Sequence, residues 1–463
     1  MEPLMKELRI LAINGLMHGN GFPERSLDLG LERDPHVVGI DAGSTDAGPF
    51  FLGSGTTMVQ RDAAKDVLRT LLTRTAEADV PLLVGSAGTA GSRIHVKWTM
   101  DIVREIVEEE SLDRRIATIY SDQSSEYLES QFEADRIEPL GRSKPITRST
   151  IKTSDRVVAA MGPEPYVAAL ERGADVIIAG RSSDVSIFEA VAVRHGFDGG
   201  LATHLAKVIE CGGQITIPST GGDCVLGELT KDYFRVSPTN PDKRLDPITV
   251  ASHMLYESAN PYRFVEPRGT LDTTDSEYRS IDEKTVEVRG SRFVPAAKYT
   301  VKLEGTRLVG YRALSVMGIR DPVLVEDGAT SLLNSARESV TTRAGELGVP
   351  RGSFSLTARV YGRDGVMGHN EPTPVTGHEL CVLLDVVGPS PEVAKGLVHQ
   401  ASNHLLHGDF PGRKCTAGNV AFPISPQDVS GTAVYEFNIW HRMVVEDPLD
   451  PVTIVFERDG GNQ

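Results

Sequence analysis

Apolar positions in the first 215 or so residues follow two alternating rhythms. Short unbroken runs at residues 9–13, 36–40, 81–84, 116–120 and 175–179 read as buried strands. Between them, Ala64, Val67, Leu68, Leu71 and Leu72 recur at helical spacing over residues 61–77. Trp98, Ile102, Ile106 and Val107 do the same, as do Tyr166, Ala169 and Leu170. Strand–helix alternation predicts an α/β fold: a parallel sheet with helices on both faces.

The rhythm then changes. Strands are predicted at residues 214–218, 225–234, 286–288, 298–303, 308–316, 355–360, 380–387, 433–444 and 453–456. Residues 299–303 alternate as half-buried antiparallel strands do. Helices are predicted at 324–347 and 391–407. This is α+β character. The turn-rich stretch Ser237, Pro238, Thr239, Asn240, Pro241 and Asp242 reads as a connector. We therefore expect a Rossmann-like α/β domain over 1–240 and an α+β domain over 241–463.

Composition narrows the partners. The 463 residues are 24% charged and 40% hydrophobic, with a formal net charge of -16. Such a chain can bury a large core. It has no long basic block, so neither nucleic acid nor an anionic membrane is an expected partner. The apolar stretch 8–13 is too short for a secretory h-region. No run approaches the roughly 20 residues of a membrane span. Cys211, Cys224, Cys381 and Cys415 lie far apart without CxxC spacing. Reduced thiols, no structural zinc and a cytoplasmic location are expected. The tail 459–463 is expected to fray.

Candidate chemistry concentrates where predicted strands end. After the run 176–179 come Gly180, Arg181, Ser182, Ser183 and Asp184. A fixed cation, helix-start amides and an acid at the carboxyl end of a parallel strand suit an anionic substrate. Asp41 and Asp46, five apart among glycines and hydroxyls in 39–49, can hold a divalent cation or a phosphate. The same stretch can equally be a tight turn. Its opening is similar to the phosphate loop of actin-like ATPases, but the further ATPase loops are not evident. Gly85, Gly88 and Gly91 do not fit GxGxxG, so no nicotinamide cofactor is expected. Amides around Ser86 and Gly88 can still meet a carboxylate, or simply let helix pack on strand.

A helix over 199–212 puts His204, Lys207 and Cys211 within about one 60° sector, with Glu210 outside it. His204 can act as acid or base, Lys207 as an anion clamp, Cys211 as nucleophile. Alternatively His204 completes a hydrogen-bond network and Cys211 is a small buried apolar residue. Thr220, in the turn 218–224, belongs to a binding loop or a plain turn. In 410–419, Arg413, Lys414, Thr416 and Asn419 suit a carboxylate or phosphate tail. His399, His404 and His407 read as a solvated helix face, and Arg312, Arg320, Asp321, Arg363 and Asp364 as structural pairs and turns.

Several of these motifs occur together in one family. Residues 39–49 with Leu52, Gly53, Ser54 and Gly55 form the first motif. Residues 85–88 before Trp98, Gly180-Arg181 with Asp184, and residues 204–207 with Glu210, Cys211 and Gly212 follow. Residues 291–295, 299–305, and 411–413 with 416–419 complete the set. In this order they resemble the acyclic terpene utilisation AtuA-like family, over nearly the whole chain. The resemblance implies a cytoplasmic catabolic protein linked to branched acyclic terpenes through CoA thioesters. Longer relatives carry an extra C-terminal domain that is elsewhere a separate small protein, so a small partner subunit is expected, along with homo-oligomers.

The first functional expectation is an enzyme acting on a branched carboxylic acid or its CoA thioester by a lyase or hydratase step. Arg181, Ser86, Gly88, Lys207, Thr220, Arg413 and Asn419 would bind substrate. Asp184, His204 or Asp41 would move the proton, and Asp41 with Asp46 would hold any divalent metal ion. The alternatives are a metal- or Cys211-dependent hydrolase of an amide, lactone or thioester, and a non-catalytic acyl-binding scaffold. ATP hydrolysis is a distant fourth.

Overall fold

The computed structural model describes residues 5–15, 21–373, 375–414 and 417–457. Cys415, Thr416 and the tail 459–463 lie outside them. The chain divides into two compact units, Met1–Arg307 with Phe437–Gln463, and Leu308–Glu436. Both mix helix and sheet.

A ten-stranded sheet organises the first unit. Across it run Glu277–Ser280, Val286–Arg289, Phe234–Pro238, Cys224–Leu229, Leu8–Ile13, Val37–Gly43, Leu82–Thr89, Val176–Ala179, Ile116–Tyr120 and Thr453–Phe456. The five strands from Leu8–Ile13 to Ile116–Tyr120 pair in parallel. Those flanking them pair antiparallel. The sheet is therefore mixed, where the alternation predicted a parallel one. Two of the flanking pairs are hairpins, Cys224–Leu229 with Phe234–Pro238 and Glu277–Ser280 with Val286–Arg289, and the other antiparallel pairs join segments far apart in sequence.

Each central strand is apolar on both faces because each face has its own core. Leu8, Ile10 and Ala12 pack with Tyr166, Phe188 and Leu205, from the helices Glu164–Glu171, Asp184–Arg194 and Gly199–Glu210. Leu11 and Ile13, pointing the other way, pack with Leu27, Leu68 and Met100, from Glu24–Leu31, Arg61–Glu77 and Arg93–Glu109. Ile177 and Ala179 divide from Val176 and Ile178 in the same manner. This is the period-2 alternation of a strand buried between two helical layers.

In the second unit, Ser355–Tyr361, Leu380–Gly388 and residues 311–319 form an antiparallel array. The helices Thr330–Glu346 and Pro391–His407 cover it through Leu332, Ala336, Val382, Leu384, Leu397 and Ala401. Among the described residues no helix is long and apolar enough to cross a membrane.

Several elements differ from the sequence expectations. Residues 212–215 form a 3-10 turn, Gly212–Ile215, in place of the strand expected at 214–218. The run 225–234 is a hairpin, folded back between Leu229 and Phe234. Segments 298–303 and 308–316 join in one strand, Thr300–Ile319. The expected helix 324–347 is two helices, Pro322–Glu326 and Thr330–Glu346. Gly328 and Ala329, both at φ 62°, interrupt it in the left-handed region.

Candidate active site

Three strand ends build the site. Val176–Ala179 stops at Gly180, where a Cβ would lie 2.8 Å from Gly91 O and 2.9 Å from Ser121 Oγ. Gly91 has φ +63°, and a Cβ there would lie 2.3 Å from Arg181 N. Two glycines thus let the loops touch, and Arg181 N donates to Gly91 O at 3.0 Å. The next residues swing Arg181 inward and start the helix Asp184–Arg194 at Asp184. Asp41 sits near the end of Val37–Gly43, beside an irregularity in its pairing with Leu82–Thr89. All three ends are carboxyl ends of parallel strands, where open α/β sheets bind ligands.

Arg181 is 5% exposed and densely held. Its Nε donates to Glu304 Oε2 at 2.8 Å, and Nη1 donates to Ser182 O (2.8 Å), Asp184 Oδ1 (3.1 Å) and Ser86 Oγ (3.2 Å). Glu304 accepts in turn from Thr45 Oγ1 at 2.9 Å and pairs with Lys302 Nζ at 2.7 Å. Burial alone would push the Glu304 carboxyl up. Arg181 and Lys302 outweigh it and hold it down at about 2.

Lys207 and Glu210 form a second buried pair, at 2.6 Å. They lie three apart on the helix Gly199–Glu210, a spacing at which side chains meet. Glu210 lies outside the sector of His204, Lys207 and Cys211, yet its carboxylate reaches Lys207 along the helix surface. Burial opposes ionisation of both, but Lys207 draws the Glu210 carboxyl down to about 2. Lys207 also lies 5.4 Å from the Tyr256 ring centroid and 5.0 Å from that of Phe264.

One carboxylate oxygen from each of Asp41, Asp184 and Glu210 lies within 4.8 Å of the other two. Burial and the neighbouring Asp184 charge push the Asp41 carboxyl well up. Burial raises Asp184 to about 6, against the pull of Arg181.

Two cavities share Asp46, Asp184 and Glu257 in their walls. One, of about 370 Å³, has Arg181, Lys207 and Lys302 at its polar side and Leu140, Val185, Phe264 and Val265 at its apolar side. The other, of about 290 Å³, is lined by Asn14, Asp41, Glu210 and Cys211 among others. Glu266 faces the first cavity. It is 6% exposed and accepts from Ser183 Oγ at 2.5 Å. Burial, with Glu189 and Asp184 nearby, pushes its carboxyl up to about 8. At neutral pH it carries its proton.

The structure thus brings Arg181, Asp184, Asp41 and Lys207 together. Asp46 lines both cavities but is exposed and accepts from Ser44 Oγ at 2.6 Å, outside the carboxylate cluster. Ser86 supports Arg181, and its amide donates to Gly180 O, so it does not offer that amide to a ligand. Gly88 packs its Cα against His95. His204 is fully buried, hydrogen-bonded to Ser291 Oγ and Tyr278 OH, and burial lowers it to about 3. It lines neither cavity. Cys211 lines the smaller cavity, its thiol pushed far up by burial and the Glu210 charge. Thr220 is exposed and accepts from Lys243 Nζ at 3.4 Å. Arg413 and Asn419 belong to the second unit, where both line a groove of about 1000 Å³. There Arg413 donates to His407 O and Ala417 O, and Asn419 to Leu405 O and Gly408 O.

Glu266, Glu304, Lys302 and His253 were not singled out as site residues. Glu304 and Lys302 carry one signal: opposite charges at alternate positions in an otherwise β-patterned run, 299–305. Glu266 follows two apolar residues in a short strand and carries none.

A family model described as acyclic terpene utilisation family protein AtuA matches residues 60–227 and 236–424. No curated protein and no solved structure matches the chain.

Proposed function

We propose, since this chain belongs to the acyclic terpene utilisation family AtuA, that it serves acyclic terpene catabolism as an enzyme on branched carboxylic acids or their CoA thioesters. The reaction we assign is a lyase or hydratase step. The observation that carries it is the 370 Å³ cavity, in which Arg181, Lys207 and Lys302 face a protonated Glu266 beside an apolar wall. Its volume falls in the range of small-molecule sites.

In this reading the substrate's carboxylate or thioester oxygen rests against Arg181 and Lys302. Arg181 Nη2 has no hydrogen-bond partner among the described residues, so one face of the guanidinium is available. The branched chain lies against Leu140, Val185 and Phe264. Asp184, in the same cavity wall and ionised above about 6, takes the proton from the α-carbon while Glu266 donates its own to the departing hydroxyl, which leaves as water; hydration runs both transfers in reverse. Three cations stabilise the enolate-like charge that develops on the acyl oxygen. A hydrolase working through Cys211 fits less well, since that thiol keeps its proton beside Glu210. A small separate subunit and self-association are part of the proposal, as is a cytoplasmic setting.

The purified chain, alone and with a small partner subunit, is assayed on branched hydroxy acids and enoyl-CoA thioesters. Turnover of at least one member is expected. Glu266→Gln should lower kcat by about a hundredfold or more while KM changes little. Binding without turnover under every condition would favour a scaffold and overturn the assignment.

A further inference from the structure

We propose that Asp41, Asp184 and Glu210 bind a divalent cation. The three arrive from separate elements, a strand end, a helix start and a helix end, yet present oxygens within 4.8 Å of one another. Ligands at roughly 2.1 Å from an octahedral ion lie about 3 Å apart when adjacent and about 4.2 Å when opposite, so the spacing suits such an ion.

The cluster is also short of positive charge. Asp41 is 9% exposed and Glu210 1%, so water screens them little. Arg181 answers Asp184 and Glu304, Lys207 answers Glu210, and Lys302 answers Glu304. Asp41 is the one carboxylate of the set that pairs with no cation among the described residues.

A second observation points into the same place. His253 is 5% exposed, and its Nε2 stands 3.5 Å from Glu210 Oε1 without making a hydrogen bond. A buried ring nitrogen without a partner is costly. His253 lies outside the three-oxygen set, and a water held by a cation on Glu210 supplies the partner. Asp184 lines both cavities, and Asp41 and Glu210 face the smaller one, so an ion here has open positions for water and ligand. An all-carboxylate set selects a hard ion, Mg²⁺ or Mn²⁺.

The inference uses the same site as the proposed function but not its substrate, and it is tested without turnover. Mn²⁺ is titrated into the full chain, and free Mn²⁺ is followed by electron paramagnetic resonance. One bound ion per chain is expected. Asp184→Asn and Glu210→Gln should each weaken binding about tenfold or more. Asp41→Asn keeps the side-chain volume and puts an uncharged amide in the buried position, so it should fold without metal and still lose affinity. No uptake by the wild type at millimolar Mn²⁺, or unchanged affinity in folded Asp41→Asn and Asp184→Asn, overturns the site. Uptake without turnover on any substrate would refute the enzymatic reading alone, and turnover without uptake the ion site alone.

Discussion

In the proposed reaction Glu266 is the residue on which the chemistry turns, because its surroundings keep a proton on a carboxyl at neutral pH. Its carboxyl sits at about 8 against an ordinary 4.5. If that proton is the one delivered, log kcat/KM falls as pH rises through about 8. The same shift affects stability. The folded state holds the proton more tightly than the unfolded one, so this contribution is complete below about 4.5 and lost as pH rises through about 8. Glu266→Gln should therefore flatten the decline in Tm between about pH 5 and pH 9, read by calorimetry. Cys211 gives a second test. With its thiol pushed far up, alkylation followed by mass spectrometry should modify it more than tenfold more slowly than the exposed Cys381. At this scale the sequence was readable where a residue type carries its own chemistry, as with Arg181 and Asp184. For His204 it left two readings open, an acid or base and a member of a hydrogen-bond network, and the buried ring fits the second. Its two hydrogen bonds, to Ser291 and Tyr278, come from residues 87 and 74 positions away.

Two elements position the site, and both rest on local choices that single substitutions can undo. Gly91 meets the backbone of Arg181 at a left-handed φ, so Gly91→Ala should cost about 1–3 kcal/mol in urea unfolding and displace the Gly180–Asp184 turn. The helix carrying Lys207 and Glu210 is capped by Asp198, whose carboxylate accepts from the amides of Gly200 and Leu201. Asp198→Ala should cost about 1 kcal/mol by the same measurement. Elements with a strong period were legible. Helices Arg61–Glu77 and Pro391–His407 and strands Ile116–Tyr120 and Thr453–Phe456 follow their apolar patterns. The strands Arg263–Glu266, Gly269–Asp272 and Arg292–Pro295 were not, since each is only four residues long and mixes apolar with polar positions. That short sheet carries Glu266, so the missed element and the missed acid are one omission.

For the whole molecule, two buried imidazoles link acid stability to the fold. Burial lowers His95 to about 4 and His204 to about 3, so both are neutral when folded. The unfolded chain takes up their protons below about 6.5, so this stability is present above that value and lost as pH falls toward 4. His204→Gln should make Tm fall less steeply over that window. The mixed α/β character was legible from the change in rhythm near residue 215. The antiparallel flanks of the large sheet were not, because pairing partners far apart in sequence leave no local trace. The most direct test of the account is a crystal structure of the chain soaked with a branched carboxylic acid. The carboxylate should lie between Arg181 and Lys302, with Glu266 in reach and the branched chain against Val185 and Phe264. A ligand seated instead in the groove at Arg413 and Asn419, with the first cavity free of it, would contradict the account.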